Sequence, residues 1–157
     1  AKLVFGPRTG ARVGNMKIPT NLPPAINLVK SKVLRVETLP PNLSLEIDPI
    51  GQANRYIETI NVDSNAAPYL TLKNGKVIAT SEVSGAIYLG SMLDQEGLSL
   101  FYKGLFDEIQ VDYLLMPVGV RRRCTDSEEF WFNYNDRTIE TKNGNMKPAE
   151  AKRLPLI

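Results

Sequence analysis

Histidine is absent from this chain, and cysteine and tryptophan each occur once. Without histidine the commonest general base is missing, and with it most zinc and iron sites and every Ser-His or Cys-His nucleophilic pair. The sequence has no GxSxG elbow, no P-loop and no dinucleotide fingerprint. A single cysteine, Cys124, excludes an intrachain disulfide, so the fold does not depend on an oxidising compartment. Arg121, Arg122 and Arg123 precede that thiol and would favour its thiolate, but a half-buried structural thiol is the preferred reading. No run approaches the roughly 18 apolar residues that span a bilayer, and the N-terminus lacks the apolar stretch of a secretory signal. A soluble product, its initiator methionine removed before Ala1, is the expectation.

Acid is also missing where base is plentiful. Residues 1–36 hold seven basic side chains (Lys2, Arg8, Arg12, Lys17, Lys30, Lys32 and Arg35) and no carboxylate, which leaves twelve basic against seventeen acidic residues in the remainder. The overall charge of +2 therefore hides a head of +7 on a mildly acidic body. A basic, acid-free terminus rich in glycine and proline suits a nucleic-acid-binding arm, because phosphate neutralisation releases counterions without a fixed geometry. An ordinary basic terminus is the plainer alternative. The candidate nucleic-acid contacts are Lys2, Arg8, Arg12 and Lys17 in the head and Arg121, Arg122 and Arg123 further on. Those three arginines could grip phosphate, or pair with the acids between Asp126 and Glu129.

What the chain does contain is short apolar runs. Eleven prolines and eleven glycines divide it into segments of five to ten residues, the punctuation of an all-β protein. Residues 1–27 read as an extended arm and 28–157 as one β-sandwich domain. Strands are expected at 30–37, 42–48, 55–62 and 85–92. Tyr69–Leu72 and Val77–Thr80 flank Asn74-Gly75, whose two positive φ angles would make a type I′ hairpin turn. The most prominent stretch is Leu98–Val118. Its alternating Ile109, Val111, Tyr113 and Leu115 predict a strand that Pro117 closes. Residues 119–129 read as a charged surface loop, and 129–134 as an aromatic strand with Trp131 opposite Phe130, Phe132 and Tyr134. Pro148–Arg153 reads as one or two helical turns.

Acidic neighbours offer little chemistry. Asp107/Glu108 and Glu128/Glu129 are adjacent, so on a strand each pair would point to opposite faces, the wrong spacing for two carboxylates across a glycosidic bond. Asp107, Glu108, Asp126 and Asp136 could supply oxygens to Ca²⁺, yet no loop has the periodicity of a dedicated cation site. No catalytic residue, metal or cofactor is assigned, and the chain is not expected to be an enzyme.

The run from Ser84 to Gly119 resembles the first core strands of single jelly-roll capsid proteins from small icosahedral single-stranded DNA and positive-strand RNA viruses. Ala86–Leu89 matches the first strand, Phe106–Ile109 an aromatic "F-D-x-I" step, and Val111–Pro117 the second strand. Asn133, Asn135 and Asp136 fall at the turn after the family's aromatic strand. The resemblance implies an antiparallel jelly-roll sandwich that self-assembles or joins a companion capsid chain, with its basic arm on viral RNA or ssDNA. It places the protein in the virion, with no membrane partner. A second resemblance, of NGKVIATS, IYLGS and FYKGLFDEIQV to laminin-G-like or concanavalin-type sandwiches, implies a glycan- or protein-binding module.

Overall fold

The computed structural model describes residues 2–156, and Ala1 and Ile157 lie outside the described residues. Two compact units divide at Val111. Among the described residues there are thirteen strands and one α-helix, so the mostly-β expectation holds.

The first unit carries β1 (Leu3–Phe5), β2 (Lys32–Thr38), β3 (Ser44–Asp48), β4 (Gln52–Asn61), β5 (Ala66–Leu72), β6 (Val77–Glu82), β7 (Ala86–Leu89), β8 (Ser91–Leu93) and α1 (Gln95–Glu108). Its pairing order is β1-β7-β6-β5-β3-β4-β2, with β8 also on β4. Two strands have two jobs. β3 pairs with β4 through Ser44–Glu46 and with β5 through Ile47 and Asp48. β7 and β8 form one run interrupted at Gly90, with β7 on β6 and β8 on β4. The Gly90 N–H donates to Ile78 O at 2.8 Å, and its carbonyl accepts from Glu58 N at 2.7 Å. Strands β4, β3, β5, β6 and the β7/β8 run thus close a ring, which removes edges that open sheets must protect. Among the described residues only β1 is parallel to its neighbour, so the sheet is mixed.

Apolar side chains fill the ring at period 2: Ile47, Ile57, Leu70, Leu72, Ile78, Ile87 and Leu89 form one buried cluster with Phe101 and Leu105 of α1. Val29, Val33, Ile60, Ala86 and Tyr88 form a second cluster. The basic head is not a bare arm. Leu3–Phe5 lies parallel to β7, and the Gly10 carbonyl accepts from Ala25 N at 2.9 Å.

The stretch Leu98–Val118 corrects the strand expectation. Its first half is helix, because Gly97, Phe101 and Leu105 recur every four residues and are the buried positions. Asp94 caps it, accepting from Gly97 N at 2.8 Å. The alternating run after it finds no partner strand: residues 111–117 have no regular secondary structure, and Leu115 is 69% exposed. The hairpin Leu72–Val77 is confirmed with a different turn. Only Gly75 has positive φ, at 83°, and Gly75 N donates to Leu72 O at 2.8 Å, so the turn is a single bend with a left-handed glycine behind it.

The second unit carries β9 (Val120–Cys124), β10 (Glu128–Asn133), β11 (Ile139–Thr141), β12 (Gly144–Met146) and β13 (Ala151–Pro155). β10 lies between β9 and β13, antiparallel to both, and β11 pairs with β12. Two expectations fail here. The arginine-rich loop is strand β9, where Arg121 and Arg123 take exposed positions and Arg122 between them pairs with Glu129. The C-terminal helical turns are strand β13. Trp131 is buried with Val120 and Met146, whereas Tyr134 is 72% exposed. Cys124 is exposed, not half-buried.

Candidate functional site

Strand alternation puts Tyr56 and Glu58 on the same face of β4, and closure of the ring brings Tyr88 of β7 against them. Glu58 is 1% exposed. Its carboxylate accepts from Tyr56 Oη at 2.7 Å and from Tyr88 Oη at 2.5 Å, one phenol per oxygen. A buried carboxylate needs such donors, since desolvation without them costs several kcal/mol (about 2–7 for a polar group, more for a charge). Burial, then the Glu58 hydrogen bonds and charge, push both phenols well above the ordinary tyrosine range. The Arg8 guanidinium sits 5.7 Å from the Tyr56 ring centroid, a cation held over an aromatic face. There is no spare room, for a Cβ on Gly90 would lie 3.0 Å from Glu58 Cβ.

A second buried acid, Glu82 of β6, accepts from Thr80 Oγ1 and from the Lys30 N–H, both at 3.0 Å. A third, Glu129 of β10, belongs to the second unit. It accepts from Arg122 Nε at 2.5 Å and from Asn143 Nδ2 at 3.2 Å. The neighbouring Trp131 indole and the Arg122 guanidinium hold this carboxyl below its usual range. The indole N–H has no acceptor in hydrogen-bond geometry among the described residues, so it acts as a nearby dipole.

Two carboxylates meet at one cavity of about 400 Å³, lined by Asp48, Glu108, Tyr69 and Leu100. Lys2 Nζ engages Glu108 at 2.5 Å. Tyr69 Oη is buried without a partner, and burial, then Glu108 and Asp107, raise its pKa. No cluster of three or more metal-ligating side chains occurs among the described residues; Asp107, Glu108, Asp126 and Asp136 do not form one.

The residues singled out for nucleic acid fall in both units. Lys2 pairs with Glu108, Arg8 packs on Tyr56, and Arg12 and Lys17 are exposed. In the second unit Arg122 pairs with Glu129, the alternative the sequence left open. Arg121 Nη1 donates to the Val120 carbonyl at 3.0 Å, and Arg123 is exposed. The Glu58–Tyr56–Tyr88 cluster was half legible, as a period-2 pair on β4, while Tyr88 arrives only through the ring.

No protein-family model matches the chain. It is 32% identical over 142 residues, 88% of its length, to the β-galactosidase BgaA of a Thermus species, and 31% identical over 147 residues to a β-galactosidase of Thermus thermophilus. The chain spans 22% of the length of each. Among solved structures, the β-galactosidase of the psychrophilic Marinomonas ef1 superposes with a TM-score of 0.79 at 26% identity, covering 98% of this chain and 25% of that one. The enzyme of the haloarchaeon Halorubrum lacusprofundi gives a TM-score of 0.84 at 20% identity, covering 98% of this chain and 27% of that one, which establishes a shared fold.

These similarities overturn the capsid reading and everything that followed from it. The jelly roll, the virion, the companion capsid chain and the viral RNA or ssDNA partner all give way to a resemblance to β-galactosidases. The glycan-binding-module alternative finds no support, and the expectation that the chain is not an enzyme is contradicted by its similarity to proteins named as β-galactosidases. The physical reason is local. The "F-D-x-I" step was read as the entry to a strand, whereas Phe106 and Asp107 lie in the last turn of α1.

Proposed function

We propose that this chain is a β-rich part of a glycoside hydrolase that acts on β-galactosides. The observation that carries the reading is the 32% identity extending over 88% of the chain to a β-galactosidase, with both units inside the matched length of the solved relatives. Hydrolysis of a glycosidic bond calls for two carboxyl groups facing each other across the sugar, about 5–9.5 Å apart. Within this chain the buried acids are spoken for: Glu58 by two phenols, Glu82 by Thr80 and a main-chain N–H, Glu129 by Arg122. Of the pair at the first unit's cavity, Glu108 is engaged by Lys2. Our reading therefore assigns the hydrolytic carboxyls to the remainder of such a hydrolase, and to this chain the closed sheet that supports it.

The test is a replacement. The matching stretch of the Thermus thermophilus β-galactosidase is exchanged for this chain, and release of nitrophenol from a nitrophenyl β-galactoside is followed. Hydrolysis by the hybrid is the expected result. A hybrid that folds, by circular dichroism and cooperative melting, yet releases nothing would overturn the reading.

A further inference from the structure

The first unit has seven lysines, and they divide sharply. Lys2, Lys73, Lys76 and Lys103 each form an ion pair, with Glu108, Glu46, Glu37 and Asp107. Lys17, Lys30 and Lys32 have no carboxylate within ion-pair distance among the described residues, and all three line one cavity of about 390 Å³. No acidic residue lines it. Asn21 and Asn27 add amide groups to the same wall. Glu82 is 5% exposed and accepts from the Lys30 main-chain N–H and from Thr80. Asp63, whose N–H bonds Ser31 Oγ at 3.1 Å, turns its own carboxylate to Asn65.

Three lysines and no acid on the lining of one concavity raise its local potential, an arrangement that favours an anion. The volume falls in the range of small-molecule sites, roughly 300–1,000 Å³. A carboxylate would bring one charge to three. A phosphate monoester brings about 1.5–2 near neutral pH and three acceptor oxygens, which matches three lysines acting as point charges. We propose that the Lys17–Lys30–Lys32 cavity binds a phosphate group, as inorganic phosphate or as the monoester of a small organic body. This site is independent of the β-galactoside reading and stands or falls separately from it.

The test uses the full chain in isothermal titration at constant ionic strength, with chloride as the balancing anion. Probes are inorganic phosphate, glucose 6-phosphate and glucose. One saturable site for the phosphates and none for glucose is expected; tighter binding of glucose 6-phosphate than of inorganic phosphate assigns the organic body, and equal binding assigns the free ion. Lys17→Gln, Lys30→Gln and Lys32→Gln should each weaken binding by about three- to tenfold, and Lys73→Gln should leave it unchanged. Lys17 is exposed and outside any strand, so its variant keeps the test valid if a strand variant melts. Absence of saturable binding, or an equal loss in Lys73→Gln, overturns the proposal.

Discussion

Glu58 in the first unit and Glu129 in the second are both buried carboxylates on central strands, at 1% and 8% exposure, yet they are satisfied in opposite ways. Glu58 has two neutral phenols and no cation among its hydrogen-bond donors; Glu129 has a guanidinium and an amide. The difference shows in the neighbours. Beside Glu58 both tyrosines are pushed up, because burial first, and then the hydrogen bond each donates to the carboxylate, oppose their ionisation. Around Glu129 the carboxyl itself shifts, downward, because indole and guanidinium favour its charge. Architecture explains the contrast. Glu58 lies where the ring closes at Gly90 and space is fixed, whereas Glu129 sits at a cavity mouth with Arg122, Lys142 and Asn143.

The largest effect should come from Glu58→Ala, which leaves two buried phenols without an acceptor and opens a void under Gly90. A loss of about 3–5 kcal/mol is expected in urea unfolding, the range for breaking a buried charged network. An equal loss from Glu129→Ala would erase the contrast. Next in size is an alkaline effect. Both phenols have folded pKa values above their unfolded value near 10, so above that pH the unfolded chain binds fewer protons than the native one. The stability they contribute is complete below about pH 10 and declines as pH rises toward the folded values. Tyr88→Phe should flatten that decline in melts taken from pH 8 to 11.

Smaller still is the acid counterpart in the second unit. The lowered Glu129 carboxyl contributes stability above the ordinary carboxylate range near 4, and that contribution disappears as pH falls through its folded value. Trp131 fluorescence should report the transition, and Glu129→Gln should remove its pH dependence without moving the alkaline limb. Smallest is Asp94→Ala, which removes the cap from α1 and also an acceptor for Gln52 N at 3.0 Å. About 1 kcal/mol is expected from denaturation, with the ring intact.

Short apolar runs bounded by proline, glycine and the Asn74-Gly75 turn located strands at β2 to β7. Period-2 patterning misled at Leu98–Val118 for a definable reason. Leu100, Phe101, Tyr102 and Phe106 have high strand propensity, and two glycines, Gly97 and Gly104, weaken a helical reading. The signals that decide were an Asp cap and apolar spacing of four, and Gly97 is small because its Cβ would meet Ile47 Cδ1 at 3.0 Å. Strands β9 and β13 were hidden by their charge, which exposed alternate positions tolerate. Ring closure at Gly90 was not legible, since it depends on which strands become neighbours. The same holds for the site: Tyr56 and Glu58 can be paired from sequence, Tyr88 cannot. Nor can the unpaired state of Lys17, Lys30 and Lys32, which follows from where the acids of the body go.

The role proposed for this chain is structural support of β-galactoside hydrolysis, with the reacting carboxyls supplied from outside it. The most direct measurement is kcat/KM for a nitrophenyl β-galactoside in the hybrid Thermus thermophilus enzyme, with and without Asp48→Asn and Glu108→Gln in the exchanged stretch. Values within about tenfold of one another are expected, a barrier change of no more than about 1.4 kcal/mol. A folded hybrid whose hydrolysis collapses only when those two carboxylates are removed would contradict it.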